Sequence, residues 1–243
     1  MTRPGRVPPG RIPPGRIPPG RIPPGRIPSA RRAAFVRRLL RWYARHQRPL
    51  PWRRTRDPYR VLVSEIMLQQ TQVSRVLPKY REFIRAYPSL DALARASARE
   101  VREKWFPLGY NARPLRLRAI ARTAVRRFGG RLPADRETLL SLKGIGPYTA
   151  GAVLTFAFGQ PSPIVDTNVR RVLRRVFFAG SPVPEATLWH LSGTLLPAND
   201  GYDFNQAIME LGATVCTARR PRCRACPLRA LCRAAPLLGG RAR

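Results

Sequence analysis

Four cysteines near one end of the chain limit its folding options most. Cys216, Cys223, Cys226 and Cys232 stand in the pattern C-x6-C-x2-C-x5-C, all within seventeen residues. Thiolates crowded this closely along a chain can enclose one compact metal centre. A structural zinc is usually gripped by two CxxC-type pairs set apart from each other. Here only one such pair exists, with longer arms on either side, and that spacing suits a cubane iron–sulfur cluster better. Zinc, or two disulfides in an oxidising compartment, are the alternatives. Arg219, Arg220, Arg222, Arg224 and Arg229 surround the same loop with positive charge, which makes it a surface suited to phosphate.

Positive charge extends well beyond that loop. The 243 residues carry 46 Lys+Arg against 13 Asp+Glu, a formal net charge of +33, and only Lys79, Lys104 and Lys143 are lysine. This balance excludes an enzyme indifferent to polyanions and points to nucleic acid ahead of an anionic membrane. No apolar run approaches the roughly 20 residues of a membrane span, so no membrane partner is expected. The N-terminus has no apolar segment of the secretory kind, and the expected location is cytoplasmic, on the nucleoid. Within residues 1–28 the unit Pro-Pro-Gly-Arg-Ile recurs, so that stretch is read as an extended, disordered tail. It holds six arginines and no acid, and the basic balance persists without it.

From Ser29 onward the pattern is helical, and the fold class expected is all-α with about ten helices. Ser29 is expected to cap a helix with Phe35, Leu39, Leu40 and Tyr43 on one stripe. Asp57-Pro58 opens another, and Ser97 to Glu100 has capping-box spacing. Further helices are expected near 111–127, 135–141, 147–158, 167–178, 185–196 and 203–215, with no convincing alternating strand.

Three local features carry chemistry. The segment Leu142–Gly151 reads LKGIGPYTAG. Gly144 and Gly146 make a tight turn that opens a helix, so backbone N–H groups and the helix N-terminus can face one phosphate. In VLVSEIML, Val61–Leu68, only Ser64 and Glu65 are polar. A helix this apolar is buried, and Glu65 would then be desolvated, raised in pKa and suited to general-acid work. Asp166 follows Ile164-Val165 and opens the next helix, where the dipole and free N–H groups would hold it ionised. One carboxyl pushed toward neutrality and one held as an anion is the division of labour that glycosidic cleavage needs. His46 and His190 lie outside any ligand spacing and are read as packing or surface residues.

Several motifs in collinear order give the chain a family likeness between about Trp42 and Cys232. They are LPWR (Leu50–Arg53), SEIMLQQTQV (Ser64–Val73), LGYNAR (Leu108–Arg113), the hairpin at Leu142–Gly151, VDTNVRRVL (Val165–Leu173), FNQAIMELGA (Phe204–Ala213) and the four cysteines. The chain resembles the helix-hairpin-helix DNA glycosylases, and within them the MutY-type adenine glycosylases. The resemblance implies base excision repair: removal of adenine opposite 8-oxoguanine or guanine from double-stranded DNA, by a monomer holding a [4Fe-4S] cluster on the four cysteines. Glu65 falls on the general acid of that family and Asp166 on the carboxylate that stabilises the sugar cation or traps it. Tyr148 and Asn168 match residues supporting those two groups, while Gln70 and Tyr110 match side chains that wedge into the base stack. Lys143, Gly144 and Gly146 belong to the DNA-binding hairpin. Relatives that cut the strand carry a lysine at the position of Tyr148, so a monofunctional glycosylase is expected.

Two departures stand out. Thr167 replaces the family's usual glycine between Asp166 and Asn168, and Asn111 replaces its second tyrosine after Tyr110. The chain also ends eleven residues beyond Cys232, where the family commonly continues into a NUDIX-like domain, so no such domain is expected here. The expected layout is a tail at 1–28, a six-helix lobe at 55–165, and a cluster lobe made of 29–54 and 166–238. The rival readings are a thymine glycosylase of the same fold acting on G·T, and a DNA-binding module with no enzymatic activity.

Overall fold

A computed structural model describes residues 27–110 and 112–239, so residues 1–26 of the expected disordered tail and Asn111 lie outside the described residues. The last two tail residues are instead ordered, Ile27 packing into the core and Pro28 capping the first helix. Among the described residues there are twelve α-helices, three short 3-10 turns and no strand. The all-α fold class follows directly.

Local chemistry explains most of the helix boundaries. Helix α1 (Ser29–His46) buries Phe35, Leu39, Trp42 and Tyr43. Its N-cap is Pro28 rather than Ser29, which is already the first helical residue and makes no capping bond. The fixed φ of proline presets the entry, so a hydroxyl cap one residue later has no vacant position to fill. Helix α2 (Pro58–Leu68) is capped by Asp57, whose side chain accepts from the N–H groups of Tyr59 and Arg60. Helices α3 (Val73–Ala86) and α4 (Leu90–Arg95) follow, the second capped by Ser89. At Ser97 the complete capping box with Glu100 opens α5 (Ala98–Trp105).

Helix α6 (Ala112–Phe128) and the short α7 (Arg136–Ser141) lead to the hairpin and α8 (Pro147–Phe156). Asp166 caps α9 (Thr167–Phe178), and α10 (Glu185–Leu195), α11 (Gly201–Thr214) and α12 (Ala235–Gly239) complete the chain. The span expected to hold six helices holds seven, because the Ser97 box restarts the chain as a separate helix straight after α4.

The helices pack as two groups. Helices α2 to α8 contact one another, and α1, α9, α10 and α11 form the second set, with α11 also touching α8. Helices α2 and α8 are buried nearly all round, α2 from Val61 to Met67 and α8 from Thr149 to Phe156. A helix without a polar face must be enclosed by others. This pair forms the spine of the first group, and a polar group on either buried run is withdrawn from water.

Candidate active site

Glu65 lies on the buried run of α2 and is only 4% exposed. Burial pushes its carboxyl up to about 7, and the negative charge of Asp166 adds to the shift, while the Tyr148 hydrogen bond and the Arg53 charge oppose it. The Tyr148 hydroxyl donates to Glu65 Oε2 at 2.7 Å and also lies 3.4 Å from Met209 Sδ. Tyr148 reaches this point because Gly146 and Pro147 start α8 just before it, on the helix that packs against α2.

Asp166 approaches the same centre from the N-terminus of α9. Its Oδ1 accepts the Val169 N–H at 2.6 Å and its Oδ2 accepts Asn168 Nδ2 at 2.9 Å. A helix terminus is expected to hold this carboxylate ionised, but its pKa is raised. Burial outweighs the Val169 and Asn168 hydrogen bonds and the nearby Arg171 charge. Both acids are therefore pushed toward their neutral forms. Asn168 in turn accepts from Arg171 Nη2 at 2.7 Å, and Arg171 also donates to the carbonyls of Gly212 and Cys216, at 2.6 and 2.7 Å. Glu65, Tyr148, Asp166 and Asn168 thus form one electrostatically linked group.

Motif reading alone did not assign roles to a second set of side chains beside this group. Arg53, in a 3-10 turn over Pro51–Arg53, donates to Glu210 Oε2 at 2.7 Å and to Gln206 Oε1 at 2.8 Å. Arg48 adds bonds of 2.5 and 3.0 Å to the same carboxylate. Burial alone would raise the Glu210 pKa, but the hydrogen bonds and charges of Arg48 and Arg53 hold it below the usual range. A charged residue inside the apolar run AIMELGA was the available signal, the same kind that marked Glu65.

The residues expected to meet DNA are on the surface. Gln70 is exposed with φ 56°, and Tyr110 is 60% exposed with φ 50°, so both have the left-handed backbone that side chains rarely adopt. Lys143 and Gly144 are exposed, and Gly144 has φ 110°. Gly146 caps α8 with no side chain, leaving the first-turn N–H groups of that helix uncapped.

The four cysteines are free and partly buried. All four line one pocket, together with Val172, Arg175, Val176, Leu211 and other residues, and no carboxylate or imidazole faces it. Burial pushes the Cys226 thiol up to about 11, with the three neighbouring cysteines adding to the rise. Arg175 Nη1 lies 3.4 Å from Cys216 Sγ. Among the described residues no three His, Cys, Asp or Glu side chains are grouped tightly enough to hold a single metal ion. The thiols ring a cavity rather than meeting at a point, and an all-sulfur donor set around a cavity fits a cluster of several irons.

The chain is similar in sequence and fold to known proteins. Residues 63–193 match the family described as HhH-GPD superfamily base excision DNA repair protein. The chain is 49% identical over 216 residues to the adenine DNA glycosylase of Homo sapiens, covering 83% of this chain and 39% of that protein. It therefore spans well under half the length of that relative. It is 39% identical over 198 residues to the thymine/uracil-DNA glycosylase of Pyrobaculum aerophilum, covering 78% of this chain and 86% of that protein. The solved structure of a thermostable thymine-DNA glycosylase superposes with a TM-score of 0.80 at 33% identity, covering 86% of this chain and 98% of the other.

Proposed function

Since the chain belongs to the HhH-GPD superfamily of base excision DNA repair proteins, we propose that it is a monofunctional glycosylase. It would remove adenine mispaired with 8-oxoguanine or guanine in double-stranded DNA. The observation that carries this reading is the Glu65 carboxyl, 4% exposed on a buried helix run that pushes its pKa up to about 7, hydrogen-bonded to Tyr148 and coupled to the charge of Asp166.

The geometry supports a plain sequence of events. The target base leaves the stack, because its glycosidic bond is out of reach inside a duplex. The Glu65 proton passes to the purine ring as the C–N bond breaks, so adenine departs neutral. Asp166 lies on the sugar side, where the developing cation favours its anion against the burial that raises its pKa. The Asn168 and Val169 N–H groups fix the direction in which it points, and water then adds to the sugar carbon to complete the hydrolysis. The hairpin around Lys143, Gly144 and Gly146 binds a backbone phosphate without reading sequence, and Gln70 and Tyr110 enter the stack. Tyr148 stands where strand-cutting relatives carry the Schiff-base lysine, which supports a reaction that ends at base release.

Cys216, Cys223, Cys226 and Cys232 would hold a [4Fe-4S] cluster, which when bound ties the loop around it into a charged, phosphate-facing surface. We assign residues 55–165 to the lobe bearing Glu65 and the hairpin, and 29–54 with 166–238 to the cluster lobe. No described helix is long and apolar enough to cross a membrane, and a cytoplasmic, nucleoid-bound monomer fits the charge.

Parallel product analysis on A·8-oxoG, A·G and T·G duplexes tests the assignment. Adenine release, abolished in Glu65→Gln with duplex binding retained, is the expected result. Thymine release in its place would favour the second reading, which rests on the near-complete overlap with thymine glycosylases. Binding without release of either base would reduce the protein to a DNA clamp.

A further inference from the structure

Arg113 is the most deeply buried arginine among the described residues, only 4% exposed, and no carboxylate there pairs with it. Its counter-charge is supplied by backbone. Nη1 donates to the carbonyls of Ile66, Met67 and Gln69 at 3.1, 3.0 and 2.5 Å. Nη2 donates to Thr71 Oγ1 at 3.0 Å and to the carbonyls of Leu108 and Gly109 at 3.2 and 3.3 Å. The first set is the C-terminal end of α2, where carbonyls lack partners inside the helix and the helix dipole favours a cation. The second set joins the turn after α2 to the loop before α6. The guanidinium also sits over the Trp105 and Tyr110 rings, at 5.4 and 5.0 Å from their centroids.

The two loops tied together in this way are the ones that present Gln70 and Tyr110. Both residues hold a left-handed backbone, which is strained at a non-glycine position and persists only where the surroundings enforce it. The Gln69 carbonyl and the Thr71 hydroxyl bracket Gln70, and the Gly109 carbonyl directly precedes Tyr110. One buried side chain therefore holds both strained positions.

We infer that Arg113 is a positioning residue that locks Gln70 and Tyr110 into a single rigid lip, and that opening of the DNA stack depends on this lock. The inference rests on the glycosylase reading above, and it separates stack opening from the chemistry at Glu65. A lysine keeps the charge but concentrates its donors at one point on a flexible stem, so it cannot reach both loops at once.

The test uses a Glu65→Gln background, in which the base stays attached, and a duplex with 2-aminopurine beside the A·8-oxoG mispair. At saturating protein the parent should raise the fluorescence as the stack opens. Adding Arg113→Lys should cut that rise to about half or less, with duplex affinity within about threefold, because phosphate contacts and net charge are unchanged. Thr71→Ala removes one acceptor only and should produce a smaller loss of the same signal. Circular dichroism confirms that each variant is helical, and Thr71→Ala alone decides the matter should Arg113→Lys not fold. A full fluorescence rise in a folded variant overturns the inference. A parent that gives no rise with the adenine mispair, but does so with T·G, overturns the adenine reading instead and leaves the lock testable on the T·G duplex.

Discussion

Glu65 concentrates the energetics of the site in one carboxyl. Its pKa stands at about 7 in the folded chain against an ordinary 4.5. The folded state therefore binds this proton more tightly than the unfolded chain does. The stability linked to it is complete below about pH 4.5 and is lost as pH rises through about 7, a cost on the order of 3 kcal/mol. Glu65→Gln should accordingly match its parent in Tm near pH 4 and exceed it by several degrees at pH 8. A constant difference across that range would mean the carboxyl is not desolvated in solution. The same titration predicts that the single-turnover rate of base release falls above pH 7, toward tenfold per unit, as the acid form disappears. Burial of Glu65 could be foreseen because its neighbours from Val61 to Leu68 are apolar on nearly every side. Its hydroxyl partner comes from 83 residues away, a pairing that no local pattern encodes. Asp166 misled the local reading because a helix terminus is visible in sequence, whereas the packing that desolvates the residue is not. Arg113 was harder still, since an arginine in so arginine-rich a chain gives no hint that it is buried.

Helices place these residues, and one close crossing matters most. An added Cβ at Gly212 of α11 would lie 2.6 Å from the Cβ of Asn168 and 3.1 Å from its backbone. Gly212→Ala must therefore push α9 away from α11, carrying Asp166 and Asn168 with it, at about 1–3 kcal/mol for an overpacked contact. A larger drop in base release than in duplex affinity is expected. Gly193→Ala in α10 is the control, because its Cβ would meet only Pro163 at 3.9 Å, and stability should stay level or rise by up to about 1 kcal/mol. Equal effects from the two substitutions would remove the crossing as the explanation. Helix starts marked by Asp57, Ser97 and Asp166 were legible because a capping side chain acts within three residues of the boundary. The two-group arrangement was available only through family likeness, since it depends on which distant faces meet. The glycine of FNQAIMELGA likewise stands out in the motif, but its reason appears only when α9 lies against it.

Charge belongs to the whole molecule. A formal +33 was plain from composition, and most of the arginines among the described residues remain at the surface while Arg53 and Arg113 turn inward. Such a surface binds a phosphate backbone mainly by releasing its counterions, so affinity should fall steeply with salt. For six to ten phosphate contacts the loss is about 10³–10⁵-fold between 50 and 200 mM. The chemistry at Glu65 and Asp166 is of another kind, since buried charges at short range are screened only weakly by ions. At saturating protein, base release from bound duplex should therefore change by less than about threefold over the same range. Titrations of affinity and single-turnover rates on one A·8-oxoG duplex would separate the two. Parallel decline of affinity and saturated rate would mean that surface arginines, rather than the enclosed acids, set the rate.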